Sequence, residues 1–244
     1  MSNKLTITNS SSFTNNFLNT IGKVVEDCII NVTPSSLNSL GSTSDGTLIQ
    51  YVKFKNENNF NQSLNVPDIK RLHKIISCIG TESFSLDIND NCISYKSPQT
   101  RFKFYLLDDG ILSPPPISIE KIKKLEYDLE FVLPHNKIQE LVKGSTFSNE
   151  SEKLYLYTSE GYIYGELTDR EKPNMDSFCI RLTDEPISNV SFQPLPFNFE
   201  NIRIISSTRC EKIKFSINTQ MSVIRVDIPL DDCYITYIVS ALIK

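Results

Sequence analysis

The sequence has no tryptophan and only two histidines, His73 and His135, and it has no apolar run long enough to span a bilayer. Neither histidine has a nucleophile or a carboxylate at motif spacing, so candidates for acid–base catalysis or metal binding are scarce. The motifs HExxH, GxSxG, GxGxxG and GxxxxGKS/T are also absent. We therefore predict no catalytic residues, no metal site, no cofactor and no enzyme activity, which favours a binding or scaffold protein.

Six cysteines occur, at positions 28, 78, 92, 179, 210 and 233, and none of them forms a CxxC pair. Most lie in apolar segments, where cysteine acts as a small hydrophobic residue. The first twelve residues, MSNKLTITNSSS, contain no apolar signal core. These features predict reduced cysteines in an intracellular, reducing compartment and no membrane association.

The chain has 244 residues, of which 39% are hydrophobic and 22% are charged, and its formal net charge is −4. This length allows one large domain or two small ones, and the composition supplies a hydrophobic core. The acidic balance argues against nonspecific nucleic-acid binding over the whole surface. A local basic face still acts at contact range, because salt screens the more distant charges.

Helical periodicity occurs in four segments, at residues 14–26, 66–77, 135–143 and 199–207. In the second segment, VPDIKRLHKIIS, we expect Asn65 as the N-cap and Pro67 in the first turn. Most of the remaining sequence alternates apolar and polar residues, as in LIQYVKFK, RFKFYLL, KLYLYTS and YIYGELT, which predicts strands. Turn dipeptides such as Glu160-Gly161 separate these strands, so we predict antiparallel sheets covered by a few helices, an α+β fold.

Three consecutive prolines in DDGILSPPPISIEKIKKLE, residues 108–126, predict an extended connector. The sequences on either side are alike. In both, an acid near a helix start is followed by an II-S ending, a strand, a polar turn and another strand, and each half is expected to open with a helix. We therefore predict a duplicated architecture: an N-terminal domain at 1–110, a connector at 111–126 and a C-terminal domain at 127–244.

The four helical segments and their flanks share a bias towards lysine and arginine. On any single helix, solvation of a polar face explains such charges. The same bias on four helices of an internal repeat instead indicates a basic surface within an acidic protein. The cations concerned are Lys23, Lys70, Arg71, Lys74, Lys137, Lys143, Arg203 and Arg209.

With this order of elements, and with the segments SLNSLGSTSDGTLIQYVKF, KLYLYTSEGYIYGEL and CYITYIVSALI, the chain resembles the DNA sliding clamps over nearly its whole length. It is most similar to the trimeric clamps of tailed phages and is also similar to proliferating cell nuclear antigen. The resemblance implies duplicated clamp-like domains, helices on one face of the sheets, and a homotrimeric closed ring. It further implies that the cations face duplex DNA without reading its sequence, and a location in the host cell cytoplasm if a phage encodes the protein.

The resemblance also implies that a DNA polymerase and a clamp loader bind through C-terminal peptides, and that subunits join through strand edges. The corresponding peptide pocket comprises Leu40, Ile119, Ile122, Met221, Ile238, Val239 and Ala241, with Leu40 expected in a loop rich in serine, threonine and glycine. The corresponding edges are TRFKFYLL and DSFCIRLT, with Phe102, Phe104, Phe178 and Ile180 as interface residues.

The main hypothesis is a processivity factor that encircles duplex DNA and tethers the replicative polymerase. Two other interpretations stay open. One is a clamp fold that serves viral transcription or repair as an accessory factor, and the other is an unrelated β-rich virion structural protein. Likeness of fold does not by itself separate the first alternative from a replication clamp.

Overall fold

The computed structural model describes residues 3–147, 151–187 and 191–242, and the chain divides into two compact units. The first unit comprises Met1–Thr43, Gln50–Ile119 and Leu230–Ile235, and the second comprises Ser44–Ile49, Glu120–Pro229 and Thr236–Lys244. Each unit has its own buried set of isoleucine, leucine, valine and phenylalanine side chains.

The first unit contains two four-stranded arrangements with antiparallel pairing and two helices. Its elements are β1 (Asn3–Ile7), a helical segment α1, β2 (Cys28–Thr33), β3 (Ser36–Ser42), β4 (Leu48–Lys55), β5 (Gln62–Val66), α2 (Ile69–Ser77), β6 (Phe84–Asn89), β7 (Cys92–Lys96) and β8 (Arg101–Tyr105). Segment α1 consists of three contiguous pieces, Ser10–Ser12, a π-helical stretch Phe13–Leu18, and Asn19–Ile21. The strand orders are β1-β6-β7-β8 and β5-β2-β3-β4.

The second unit follows a short helix, α3 (Ile119–Lys123), which lies in the segment predicted to be an extended connector. Its elements are β9 (Leu129–Pro134), α4 (His135–Gly144), β10 (Lys153–Ser159), β11 (Tyr162–Leu167), β12 (Phe178–Arg181), β13 (Leu195–Asn198), α5 (Phe199–Ser206), β14 (Lys212–Asn218), β15 (Val223–Pro229) and β16 (Cys233–Ser240). The strand orders are β9-β14-β15-β16 and β13-β10-β11-β12.

The two units repeat one topology. Strands β4 and β16 each cross a unit boundary and are counted with the unit that holds most of their residues. Each unit then has a strand, a helix, four strands, a second helix and three strands, and the strand orders coincide when the strands are numbered within each unit. The predicted duplicated α+β architecture with antiparallel sheets is therefore confirmed. The two helices of each unit contact one another, α1 with α2 and α4 with α5.

Helix α2 shows how the sequence sets both faces of a helix. The Asp68 carboxylate accepts a hydrogen bond from the Arg71 backbone N–H at 2.8 Å and begins the helix. Ile69, Leu72 and Ile76 are buried, and each buried aliphatic side chain contributes about 1.5–3 kcal/mol. The predicted N-cap Asn65 was wrong: this residue lies in β5, because Asp68 stands one residue before the helical periodicity begins.

Further sequence predictions about the elements were wrong. Each unit opens with a strand, β1 or β9, rather than with a helix. The first helix begins at Ser10 instead of residue 14, because the Asn9 side chain accepts a hydrogen bond from Ser12 N–H at 3.0 Å and caps it there. The segment around Leu40 is the strand β3 and not a loop.

Candidate nucleic-acid interface and partner surfaces

Three exposed cations stand together on helix α2. Lys70, Arg71 and Lys74 are solvent-exposed, whereas the opposite face of the helix is buried against its own unit. Within the part of the chain that the structure describes, none of these three side chains forms an ion pair. Their charges are therefore available to an external anion.

Arg71 is held in place by an aromatic ring. Its guanidinium lies 5.9 Å from the centroid of the Phe104 ring, a cation–π geometry that leaves the in-plane N–H groups accessible. The Asp68 carboxylate interacts with the Arg71 backbone N–H, and, among the described residues, no ion pair between their side chains is formed. A planar guanidinium fixed in this way is suited to binding a phosphate through two hydrogen bonds.

Lys23, after the end of α1, has a different environment from the α2 cations. Its side chain is about half-buried, and burial lowers the pKa of its ammonium group. Desolvation of this charge weakens its use as a phosphate contact, because a partly buried ammonium is less accessible to a ligand. Of the first unit's predicted DNA-facing residues, Lys23 is the least exposed.

In the second unit, the predicted cations divide into paired and unpaired groups. Lys143 at the end of α4 and Arg209 after α5 are exposed, and they form no ion pair among the described residues. Lys137 pairs with Asp184 at 3.5 Å, and Arg203 pairs with Glu200 at 3.3 Å. The Arg203–Glu200 pair is exposed, and in the other pair Asp184 is exposed while Lys137 is partly buried. Pairs near the surface contribute only about 0–1 kcal/mol, so a phosphate can displace the carboxylate.

The Arg203 side chain also connects the two helices of this unit. Its guanidinium lies 4.8 Å from the Phe199 ring centroid, and it donates a hydrogen bond to the Ser145 hydroxyl at 3.3 Å. His135 at the start of α4 contacts the Ser206 carbonyl at 2.8 Å through its Nε2 atom. These contacts hold the two helices of the second unit against one another.

The two strands predicted to form subunit interfaces are both terminal in their sheets. Strand β8 ends the order β1-β6-β7-β8, and β12 ends the order β13-β10-β11-β12. Phe102 on β8 and Phe178 and Ile180 on β12 are half-buried, so each edge leaves apolar surface partly uncovered. Among the described strands, the outer edges of β8 and β12 have no neighbour, so their backbone N–H and C=O groups can pair with a strand of another chain.

Phe104 does not fit the role predicted for it. Its side chain is only 3% exposed and packs in the core of the first unit, so it offers no surface to another subunit. Side chains alternate between the two faces of a strand, so Phe102 and Phe104, two residues apart, both lie on the inward face of β8. On that face Phe104 is buried, whereas Phe102 is only half-buried. Phe178 packs over Gly144, where a Cβ atom would clash with its ring, and stacks on Phe147.

The residues predicted to line a peptide pocket differ in exposure. Leu40, Ile119 and Ala241 are half-buried, and Met221 is 59% exposed in the turn between β14 and β15. The Ala241 backbone N–H donates to the Ser222 carbonyl at 2.8 Å, which brings the segment after β16 next to that turn. Ile122, Ile238 and Val239 are core residues, 0–4% exposed, so only the first group provides accessible surface.

The structure also shows a tyrosine-rich surface that was not predicted from the sequence. Tyr155, Tyr157, Tyr162 and Tyr164 line one face of strands β10 and β11. The signal was present in KLYLYTSEGYIYGEL, where tyrosine recurs at every second position on both sides of a tight turn. Glu160 and Gly161 in that turn have φ values of 50° and 81°, as a two-residue hairpin requires.

Among the described residues, no group of three or more histidine, cysteine, aspartate or glutamate side chains is placed to hold a metal ion. None of the helices in the same part of the chain is long and apolar enough to cross a membrane.

Duplicated antiparallel units with paired helices define a sliding-clamp fold, and comparison with solved structures confirms it. The structure of the C-terminal region of FEN-1 bound to A. fulgidus proliferating cell nuclear antigen (PCNA) gives a TM-score of 0.79 at 16% identity, covering 100% of this chain and 99% of that chain. The crystal structure of PCNA from Entamoeba histolytica gives 0.78 at 12% identity and covers 100% of both chains. No protein-family model and no curated protein matches the sequence. At these identities the likeness defines the fold, and the greater similarity to phage clamps stays a prediction.

Proposed function

We propose that this protein is a sliding clamp that encircles duplex DNA and tethers a replicative DNA polymerase. The observation that carries the proposal is the set of exposed cations that form no ion pair among the described residues of a clamp fold, namely Lys70, Arg71 and Lys74 on α2, Lys143 on α4 and Arg209 after α5. In a ring whose helices face inward, these cations contact phosphates. Such contacts are individually weak and independent of sequence, which suits sliding.

The proposed assembly is a homotrimer closed by edge-strand pairing between β8 of one copy and β12 of the next. This head-to-tail contact uses two different edges and generates a ring when the rotation closes. The half-buried Phe102, Phe178 and Ile180 support it, because pairing the two edges would remove their exposed apolar surface from water. The proposed role is that of a scaffold, without catalysis of its own.

Partner binding is part of the same proposal. The A. fulgidus structure named above is a complex in which the C-terminal region of FEN-1 is bound to PCNA. By analogy, we propose that the polymerase and the clamp loader bind this chain through C-terminal peptides. Leu40, Ile119, Met221 and Ala241 are the predicted pocket residues that retain accessible surface.

Order of addition on linear DNA tests encirclement without a loader. The protein is mixed with a linear duplex carrying biotin at both ends, and streptavidin is added either before or after the protein. A ring threads over open ends, so the complex should survive a high-salt gel-filtration column only when streptavidin is added last. Equal retention in both orders, or complete loss at high salt in both, would overturn the proposal. Light scattering should give a mass near three times the chain mass of 27.8 kDa.

A further inference from the structure

The outward face of the β10–β11–β12 sheet is built from tyrosine and arginine. Tyr157 on β10 lies directly opposite Tyr164 on β11, and Tyr164 lies opposite Arg181 on β12, so these three side chains form a row across the strands. The intervening residues of β11, Ile163, Gly165 and Leu167, are buried on the opposite face. Gly165 packs there against Leu141 of α4, which leaves the tyrosines on the face away from the helix.

The rings of this surface are fixed before any ligand arrives. Tyr157 and Tyr164 stack with centroids 5.6 Å apart, and the Arg170 guanidinium lies 5.0 Å from the Tyr155 ring centroid and 5.1 Å from that of Tyr157. Arg170 also donates to the Glu166 carboxylate through Nε at 3.0 Å, so its charge is compensated within the surface. A surface with so little rotamer freedom loses little entropy on binding.

Arg181 differs from Arg170 because no acidic partner compensates its charge among the described residues. Its guanidinium lies 4.6 Å from the Tyr162 ring centroid, and the residue is exposed. Within the same part of the chain its side chain forms neither a hydrogen bond nor an ion pair. Stacking on a ring occupies one face of the guanidinium and leaves its in-plane N–H groups for a carboxylate bound through two hydrogen bonds.

We propose that this tyrosine face, defined by Tyr157, Tyr162, Tyr164 and Arg181, is a docking surface for an acidic peptide segment of a partner protein. A carboxylate of the partner binds Arg181, and an adjacent apolar side chain packs on the stacked Tyr157 and Tyr164 rings. Tyrosine and arginine are, with tryptophan, the residue types enriched among those that dominate protein–protein binding energy. The tyrosine face lies on the side of its sheet away from α4. Arg181 belongs to β12, whose backbone edge is proposed to pair with another subunit, but side chains stand roughly perpendicular to a sheet and not along its edge. The proposal does not rest on DNA binding.

Charge favours a peptide over nucleic acid as the occupant. Of the two arginines here, Arg170 is neutralised by Glu166, and Lys153 at the start of β10 is neutralised by Asp169 at 3.1 Å and by Glu171 at 2.6 Å. Lys172 likewise pairs with Asp169, at 3.7 Å. Among the described residues of this surface, Arg181 is then the cation left without an acidic partner, and it complements a local acidic group. A single-stranded nucleic acid instead needs a groove with several cations along its backbone.

Fluorescence anisotropy with defined probes tests the proposal on the full chain. The probe is a short labelled peptide in which aspartate alternates with phenylalanine, and the comparison probes are the same peptide with asparagine for aspartate and an oligothymidylate. Arg181→Ala should weaken binding of the acidic peptide at least about tenfold, the scale of one lost charge-assisted pair. Arg181→Lys should lie between, because it keeps the charge but loses the planar fork. Lys214→Ala on β14, a cation of the same unit outside the tyrosine face, is the matched control and should bind like the parent.

Alkylation gives an independent readout. Cys179 is exposed on β12, and its sulfur lies 3.4 Å from the Tyr157 hydroxyl, so a bound peptide should slow its reaction with a maleimide. Cys78, exposed at the end of α2, should react at an unchanged rate. The proposal is overturned if Arg181→Ala, with an unchanged melting temperature, binds like the parent. It is equally overturned if the asparagine peptide binds as tightly as the acidic one, or if the oligothymidylate is the tighter ligand and depends on Arg181.

Discussion

The Arg71 guanidinium of helix α2 lies 5.9 Å from the centroid of the Phe104 ring of strand β8, so a cation of the proposed DNA surface rests on the edge strand proposed to join subunits. Phe104 is buried and fixed by the core of the first unit. Arg71 is therefore positioned by the fold, whereas Lys70 and Lys74 are long exposed side chains that carry no such ring contact among the described residues. Substitutions of Lys70 and Lys74 therefore test the effect of charge alone, whereas a substitution of Arg71 would also remove a contact with the core.

Changing both Lys70 and Lys74 to glutamate should weaken association with duplex DNA. The free energy of unfolding should change by less than about 0.5 kcal/mol, since both side chains are exposed on a helix surface. The loss of affinity should be equal for unrelated DNA sequences and largest at low salt, because added salt already screens the phosphate contacts. The slope of log affinity against log salt should fall by about two or more.

A matched control carries the same change in net charge. Lys4 on β1 and Lys53 on β4 are exposed on strands of the same unit. If the Lys4→Glu/Lys53→Glu variant loses as much affinity as the α2 variant, the effect is due to net charge alone and α2 has no special part in DNA binding.

Much of the fold could be predicted from the sequence because its periodic segments are long. Helix α4 was predicted at 135–143 and spans His135–Gly144, and α5 was predicted at 199–207 and spans Phe199–Ser206. Strand β1 was missed because only Leu5 and Ile7 carry its alternation. Two alternating apolar residues are too few to predict a strand, and it is pairing with β6 that fixes this segment in an extended conformation.

Replacing Phe102 or Ile180 with aspartate should lower the oligomeric mass while the subunit stays folded. Both side chains are half-buried on terminal strands, so a charge there remains hydrated in the free subunit but is costly in a closed interface. Light scattering at micromolar concentration measures the mass, and circular dichroism checks the fold. Val132→Asp is the control, because Val132 is 55% exposed on β9, a strand that is not proposed to join subunits. Parental mass in both edge variants would exclude these edges.

Phe104→Asp should give a different result from the edge variants. A charge at a site that is 3% exposed is desolvated in the folded subunit itself. The free energy of unfolding should fall by at least about 3 kcal/mol, the scale of removing a buried phenylalanine. A Phe104→Asp protein of unchanged melting temperature would contradict the placement of this side chain in the core.

Which predicted site residues remain accessible could not be read from the sequence. Ile238 and Val239 lie in CYITYIVSALI, where apolar residues follow one another without alternation. A strand that is buried on both faces and a strand that borders a pocket can both have such a sequence, so the sequence does not show which residues are accessible. Met221 is different because it stands in a turn, where Asn218 Oδ1 accepts a hydrogen bond from the Met221 backbone N–H at 2.6 Å, and the residue is 59% exposed.

Leu40→Asp and Met221→Asp should each abolish binding of a C-terminal polymerase peptide with little change in melting temperature. Both positions leave apolar surface accessible, and an unpaired charge beside a buried peptide side chain is costly. Leu40→Met keeps the apolar surface and should bind the peptide like the parent. Val239→Asp should instead unfold the second unit, because Val239 is fully buried. A large fall in melting temperature for Leu40→Asp would mean that Leu40 belongs to the core and not to a peptide site.

Stability should fall as the pH rises above about 9, because two thiols resist ionisation in the folded state. Burial raises the pKa of Cys28 and of Cys233 from 9.0 to about 12, and the Cys233 thiol contacts the Asn16 carbonyl oxygen at 3.5 Å. A raised folded-state pKa contributes stability that is complete below the unfolded-state pKa and is lost progressively as the pH rises towards the folded-state value. Each thiol should therefore add about 1.4 kcal/mol per pH unit to the downward slope of the unfolding free energy between about pH 10 and 11. Urea unfolding at several pH values measures this slope, which should flatten by that amount in Cys233→Ala or Cys28→Ala and by about twice as much in the double variant. Parallel curves for the parent and the variants would contradict the burial of these thiols.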